Sequence, residues 1–384
     1  LNAPASGRMA IAEALTNILS SDIQKLNDIK LSANWMAACG VDGEDADLFD
    51  TVKAVGLELC PALGISIPVG KDSMSMRTTW QDSRKKTNSV VSPLSLLITA
   101  FAPVSDVRKT ITPELKKAEN KADIYLFSLS DKMRLGASSL GQVYNQLGVE
   151  CPDVDSASIF KDYLNVLIQL KKDNLILAYH DRSDGGLIVS LLEMAFTVRK
   201  GLNINLSTNQ PLDEAFSEEI GVLLQISENQ FSKVHSVLKS VKLESRIQKV
   251  AEIRDDQKVV IKSQNGSELY QNSISVLKSI WSETSFAIQK NRDNPECAES
   301  ESKLYSDPTF TGITYQLNFD PTKTFHISKN VKPKIAILRE QGVNGHIEMA
   351  AAFHLAGFTS VDVTMSDLLT KKHIITDFQG LVSC

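Results

Sequence analysis

The sequence has no uninterrupted apolar run long enough to span a bilayer and no secretory leader pattern at its start. A membrane-spanning role is therefore not expected. It also lacks any basic excess. Lys and Arg number 41 against 46 Asp and Glu, a net charge of −5, so nothing in the balance points to nucleic acid or anionic lipid. The five cysteines, Cys39, Cys60, Cys151, Cys297 and Cys384, are scattered with no CxxC pair. That spacing offers no zinc site and suits a reducing, cytoplasmic compartment. GxGxxG and GxxxxGK[ST] are both missing, so neither a dinucleotide fingerprint nor a Walker A loop is available. There is no internal repeat and no low-complexity tract.

What is present is organised around His180-Asp181-Arg182-Ser183-Asp184-Gly185-Gly186. The apolar residues 175–179 before it read as a strand, and 184–198 after it as a helix. A strand-to-helix turn of this kind can offer backbone N–H groups and the helix dipole to a phosphate. Two aspartates would repel a bare phosphate, but they fit one bridged by a divalent cation. The same residues also describe a plain capped helix start, with Ser183 or Asp184 as N-cap.

Residues 5–20 read as a helix on which Glu13 and Asn17 are four apart and share a face. A carboxylate and an amide oxygen together suit a hard cation, and equally a solvated helix surface. Residues 46–63 read as a second helix, ended or kinked by Pro61. The segment 65–69 then leads into a loop, Gly70-Lys71-Asp72-Ser73-Met74-Ser75-Met76, where Lys71 and Ser73 suit an anion. That loop also reads as an ordinary surface connection.

Residues 94–104 form a strand, and the polar run 106–121 a boundary. Strands and helices then alternate in an α+β domain over roughly 105–265. A helix is expected at 273–291 and an extended polar linker at 292–324. From 334 a strand, turn, helix and strand begin a parallel, doubly wound sheet, with a further strand at 380–383. The chain starts at Leu1 and stops on an apolar strand, which reads as an interior piece of a longer polypeptide.

Taken in order, Glu13-Ala14-Leu15-Thr16-Asn17, Leu31-Ser32-Ala33-Asn34-Trp35-Met36, Gly43-Glu44-Asp45-Ala46, residues 68–76, the His180–Gly186 turn and Leu338-Arg339-Glu340-Gln341-Gly342-Val343-Asn344 closely resemble the large form of phosphoribosylformylglycinamidine synthase. The resemblance implies an ATP-dependent amidotransferase of de novo purine synthesis. Ammonia from glutamine passes inside the protein to a synthetase site. There ATP activates the amide oxygen of formylglycinamide ribonucleotide, and the amidine, ADP, phosphate and glutamate are formed.

The resemblance also implies a fold class, α/β and α+β. Residues 1–104 would be the end of an N-type α/β domain in the second half of an aminoimidazole-ribonucleotide-synthetase-like pseudo-dimer. Residues 105–300 would be its C-type α+β domain, 301–331 a linker, and 332–384 the start of a class I glutamine amidotransferase domain. In the family, the positions matching Glu13, Asn17 and Asp181 are Mg²⁺ ligands and that matching Ser183 contacts the nucleotide, ATP or ADP. Lys71 and Ser73 would line the same nucleotide or substrate region.

The family's glutaminase Cys, His and Glu would lie beyond Cys384, so no catalytic residue is expected in these residues. Cys384 itself reads as a core strand cysteine, and His346, His354 and His373 form no triad. The expected partners are formylglycinamide ribonucleotide, glutamine, ATP and the remainder of the same polypeptide, with no nucleic acid and no membrane. The fragment alone is expected to be inactive. An alternative reading makes this half a scaffold that holds Mg-nucleotide without turnover.

Overall fold

A computed structural model describes the chain except for residues 308, 311, 321, 324–331 and 384. Cys384 and part of the expected linker therefore lie outside the described residues. The chain divides into two units, Leu1–Phe310 and Thr311–Cys384.

The first unit opens with α1 (Ala3–Ile18), capped by the Asn2 side chain, which accepts from the Ala5 N–H at 3.0 Å. Then come β1 (Lys30–Met36), α2 (Glu44–Lys53), α3 (Cys60–Leu63), β2 (Ser66–Ser73), β3 (Arg77–Gln81), β4 (Thr87–Val91) and β5 (Ser95–Phe101). Pro61 neither ends nor kinks this helical run outright. Residues Ala54–Leu59 widen into a π-turn just before it, which accommodates the missing N–H and the crowding ring. The run stops at Gly64, in the left-handed conformation.

β1 pairs with β2 in parallel and with β5 in antiparallel fashion, giving the order β2-β1-β5. This corrects the reading of Gly70–Met76 as a loop. Gly70, Lys71, Asp72 and Ser73 are strand residues, opposite Ala33, Asn34, Trp35 and Met36. Gly70 is needed there because a Cβ would stand 2.2 Å from the Ala33 carbonyl oxygen.

The rest of the unit comprises β6 (Ala122–Ser128), α4 (Ser139–Val143), α5 (Ala157–Lys172), β7 (Ala178–Asp181), α6 (Gly186–Val198), β8 (Gly201–Asn205), α7 (Pro211–Phe216), β9 (Gly221–Ser227), α8 (Glu228–Ser240), β10 (Ile247–Arg254), β11 (Lys258–Lys262), β12 (Glu268–Ser273), α9 (Ile274–Arg292) and α10 (Pro295–Ser306). Seven strands form one sheet in the order β12-β11-β8-β10-β6-β9-β7. Both of its faces are covered. In β6, Tyr125 and Phe127 enter one core with α1, α5 and β1, whereas Ile124 and Leu126 enter a second core with α6. Full coverage explains why β9 is buried at every position and reads as a continuous apolar run.

α10 corrects the expected linker. Pro295 sits in the first helical turn behind the Asn294 cap, so this proline starts a helix. The 301–331 segment accordingly begins helical.

The second unit holds β13 (Lys334–Arg339), α11 (His346–Leu355), β14 (Thr359–Thr364), α12 (Met365–Leu369) and β15 (Gly380–Ser383). Its three strands are parallel, in the order β14-β13-β15, with Ile335, Ala336 and Ile337 of the central strand buried. No helix among the described residues is long and apolar enough to cross a membrane.

Candidate functional site

α1 turns Ile11 and Leu15 into the core, as its C-cap does Leu19, and leaves Glu13 and Asn17 on the opposite, exposed face. One buried hydrogen bond fixes this helix against the edge strand. The Tyr179 hydroxyl donates to the Thr16 carbonyl at 2.6 Å. Tyr179 lies two residues before Asp181, the last residue of β7.

The strand is shorter and later than residues 175–179, running from Ala178 to Asp181. The turn after it is built by glycine rather than by a side-chain cap. Gly185 is the N-cap of α6 at φ +83°, and Gly186 follows at φ +68°. Neither Ser183 nor Asp184 caps the helix. A Cβ on Gly186 would stand 2.7 Å from the Phe216 carbonyl carbon, so the close packing also requires glycine.

The N–H groups of the turn are largely spent inside the protein. Arg182 N–H donates to the Gly221 carbonyl (2.8 Å), Ser183 N–H to Ser190 Oγ (3.3 Å), Gly186 N–H to the Ser183 carbonyl (2.9 Å) and Gly185 N–H to Glu218 Oε1 (2.7 Å). Glu218 Oε1 also accepts from the Ser139 N–H at 3.0 Å. The turn is therefore no cradle of free N–H groups for a bare phosphate. What it presents is carboxylate.

Partial desolvation raises the Glu13 pKa above its ordinary value, and Asp184, Asp181 and Glu218 push it the same way. The neighbouring arginine does not relieve this charge. Arg182 is buried, with its guanidinium donating to the Glu219 carbonyl and Ser128 Oγ, and burial lowers it to about 10. The fully buried Glu219 carboxylate is taken by Arg134 through Nε and Nη2, the latter at 2.7 Å. Burial alone would lower the His180 pKa. Its hydrogen bonds to Asp181 and Glu193 outweigh this and raise it to about 9. Glu193 also accepts from Trp281 Nε1 at 3.2 Å.

Two clefts meet at Glu13. One, of about 330 Å³, is lined by Glu13, Ser183, Asp184 and Glu218 among others. The second, of about 460 Å³, is lined by Glu13, Asn17 and residues 96–100 of β5. The fold thus brings Glu13, Asn17 and Ser183 to adjoining clefts, with Asp181 near enough to raise Glu13. Lys71 and Ser73 line neither cleft. They stay on β2, where Lys71 Nζ donates to Ser73 Oγ at 2.6 Å.

No three His, Cys, Asp or Glu side chains among the described residues stand together as a ready-made metal site. The donor chemistry nevertheless fits a hard divalent cation: the Glu13 carboxylate lies close enough to Asp184, Asp181 and Glu218 to feel their charge, with the Asn17 amide oxygen one turn away. Sequence reasoning missed Glu218, Glu219 and Arg134. The one available signal was the acidic pair Glu218-Glu219 standing directly before the apolar strand.

Three family models match the chain. Residues 1–103 match the FGAR-AT PurM_N-like domain. Residues 126–264 match the C-terminal domain of AIR synthase related proteins. Residues 332–384 match the CobB/CobQ-like glutamine amidotransferase domain. Among solved structures, T. maritima PurL complexed with FGAR is similar at a TM-score of 0.54 and 10% identity, over 72% of this chain and 44% of that one. T. maritima PurL complexed with ATP is similar at 0.50 and 10%, over 71% and 41%. PurLQS from Thermotoga maritima gives 0.50 and 12%, over 71% and 41%. At such identities the likeness shows the fold alone, and the chain spans less than half the length of these relatives. The three domain types, in this order along one chain, are those of a phosphoribosylformylglycinamidine synthase-type protein.

Proposed function

We propose that this chain forms part of an ATP-dependent amidotransferase of de novo purine synthesis. Its substrates would be formylglycinamide ribonucleotide, glutamine and ATP. Its products would be formylglycinamidine ribonucleotide, glutamate, ADP and phosphate. The observation that carries this reading is the gathering of Glu13, Asp184 and Glu218 on one cleft that Ser183 also lines, with the Glu13 carboxyl raised by partial desolvation first and then by Asp184, Asp181 and Glu218. Such a concentration of carboxylate beside a hydroxyl favours a cation-borne polyphosphate.

In this reading Glu13, Asp181 and Asn17 would hold Mg²⁺, and the Ser183 hydroxyl would donate to a phosphate oxygen of ATP or ADP. Bound Mg²⁺ would neutralise phosphate charge as the nucleotide reacts. The chain's own part is to fix these ligands: Tyr179 holds α1, and Glu218 holds the turn. Lys71 and Ser73, away from these clefts, would serve substrate contacts on β2 if they serve any. Residues 1–104 and 105–300 would be the two synthetase-type domains, 301–331 their connection, and 332–384 the start of the glutaminase domain in a cytoplasmic enzyme. These residues by themselves would carry no glutaminase activity.

The test is Asp181→Asn in the enzyme containing this chain, followed by ammonia-dependent amidine formation and by nucleotide retained through gel filtration. Loss of turnover is expected. Loss of retained nucleotide with turnover intact would make the site a structural holder instead. No change in either would remove Asp181 from any metal role.

A further inference from the structure

The cleft that Glu13 shares with Ser183 has three walls. α1 supplies one through Ala10 and Glu13, and the turn after β7 another through Ser183 and Asp184. The third is the segment between β6 and α5, through Gly136 and Pro152. These stretches are far apart in sequence, so their spacing is set by tertiary contact. Apolar packing holds the buried side of α1, but it is non-directional. Charged groups of fixed geometry join the walls to one another.

Arg8 lies five residues before Glu13 on α1. Its guanidinium donates twice to Asp153, from Nε to Oδ1 at 2.7 Å and from Nη2 to Oδ2 at 2.6 Å. Such a two-pronged pair fixes orientation as well as distance. The two side chains are only 20% and 17% exposed, so the pair is screened less than a surface bridge. Asp153 Oδ1 also accepts the Val154 N–H at 2.7 Å, which holds the carboxylate in place. Arg134, before the other end of the segment, donates to the Asp153 carbonyl at 3.1 Å and to both Asp155 carboxylate oxygens at 3.2 Å. Its guanidinium also takes the buried Glu219 carboxylate. Glu218, the preceding residue, accepts from the turn at Gly185 and from the segment at Ser139. A chain of charge-assisted bonds thus runs from α1 through Arg8, Asp153 and Arg134 to the Glu218-Glu219 pair and the turn. Neither Arg8, Asp153 nor Arg134 lines the cleft, so contact with a ligand there does not account for them.

We propose that Arg8 and Asp153 are positioning residues. Their pair sets the distance between Glu13 and the carboxylates of the turn, and so how firmly the cleft holds a divalent cation. This rests on the reading of Glu13, Asn17 and Asp181 as Mg²⁺ ligands. The Tyr179 bond to Thr16 fixes α1 on the C-terminal side of Glu13, and Arg8 fixes it on the N-terminal side. Loss of Arg8 frees the first turns of the helix to tilt while every proposed ligand stays in the chain.

The test is titration of the 384-residue chain with Mg²⁺ at fixed ATP, in the wild type, Arg8→Met and Arg8→Lys, with urea midpoints measured alongside. The Mg²⁺ concentration at half saturation is expected to rise about tenfold in Arg8→Met. Arg8→Lys keeps the charge but loses the two-pronged grip. It should fall between the other two and stay near the wild-type midpoint, so it decides the matter if Arg8→Met folds poorly. Lowered midpoints with an unchanged Mg²⁺ requirement in both variants would make the pair purely structural and overturn the proposal. Wild-type binding of ATP that is indifferent to Mg²⁺ would instead overturn the reading of the ligands, and the proposal with it.

Discussion

The Tyr179 hydroxyl donates to the Thr16 carbonyl at 2.6 Å, and this single buried bond ties the helix bearing Glu13 to the strand ending in Asp181. Replacing Tyr179 by Phe keeps the ring and removes only the donor, leaving the carbonyl short of a partner. We expect a loss of about 1–2 kcal/mol of stability by urea denaturation. Mg-nucleotide affinity should fall with it, although no proposed ligand is changed. Unaltered affinity would mean that the bond does not position Glu13.

Gly70→Ala tests the strand that replaces the expected loop. A methyl there would meet the Ala33 carbonyl at 2.2 Å, backbone against backbone. The β1–β2 pairing must open, and a loss of more than about 2 kcal/mol is expected from chemical denaturation. A neutral result would show that residues 70–73 are not held in the sheet.

Arg134 and Glu219 form a pair whose carboxylate is wholly buried. Arg134→Met strands that charge. The expected cost is about 3–5 kcal/mol, read as a lowered urea midpoint. An unchanged midpoint would show that Glu219 finds water or another donor.

The fold was readable wherever burial alone sets the pattern. The continuous apolar run of β9 announces a strand covered on both faces, and the Ile11, Leu15 and Leu19 stripe announces α1. Legibility failed where tertiary contact overrides local chemistry. Gly70 and Lys71 look like a loop, yet parallel pairing to β1 makes them strand. Pro295 looks like a breaker and is a helix start.

At the candidate site, spacing put Glu13 and Asn17 on one face, but nothing local could reveal that Glu218, far along the chain, takes the Gly185 N–H. Nor could the sequence show that Lys71 and Ser73 stay outside the clefts at Glu13.

Burial lowers the Lys171 pKa to about 8 from an ordinary 10.5. Between these values the unfolded chain binds more protons than the folded one, so this group makes stability rise with pH across that window. Below about pH 8 the folded protein bears the full cost of a buried ammonium. Denaturation midpoints of the wild type and Lys171→Met, compared at points between pH 7 and 10.5, should show the wild type gaining on the variant as pH rises above about 8. Parallel profiles would contradict the assignment.

In the proposed function, the α1 face and the turn after β7 would form one Mg-nucleotide site. Its most direct test is titration of the chain with ATP, with and without Mg²⁺, alongside Glu13→Gln and Asp181→Asn. Mg²⁺-dependent binding is expected, weakened about tenfold or more in each variant. ATP binding that is indifferent to Mg²⁺, or unchanged in both variants, would contradict it.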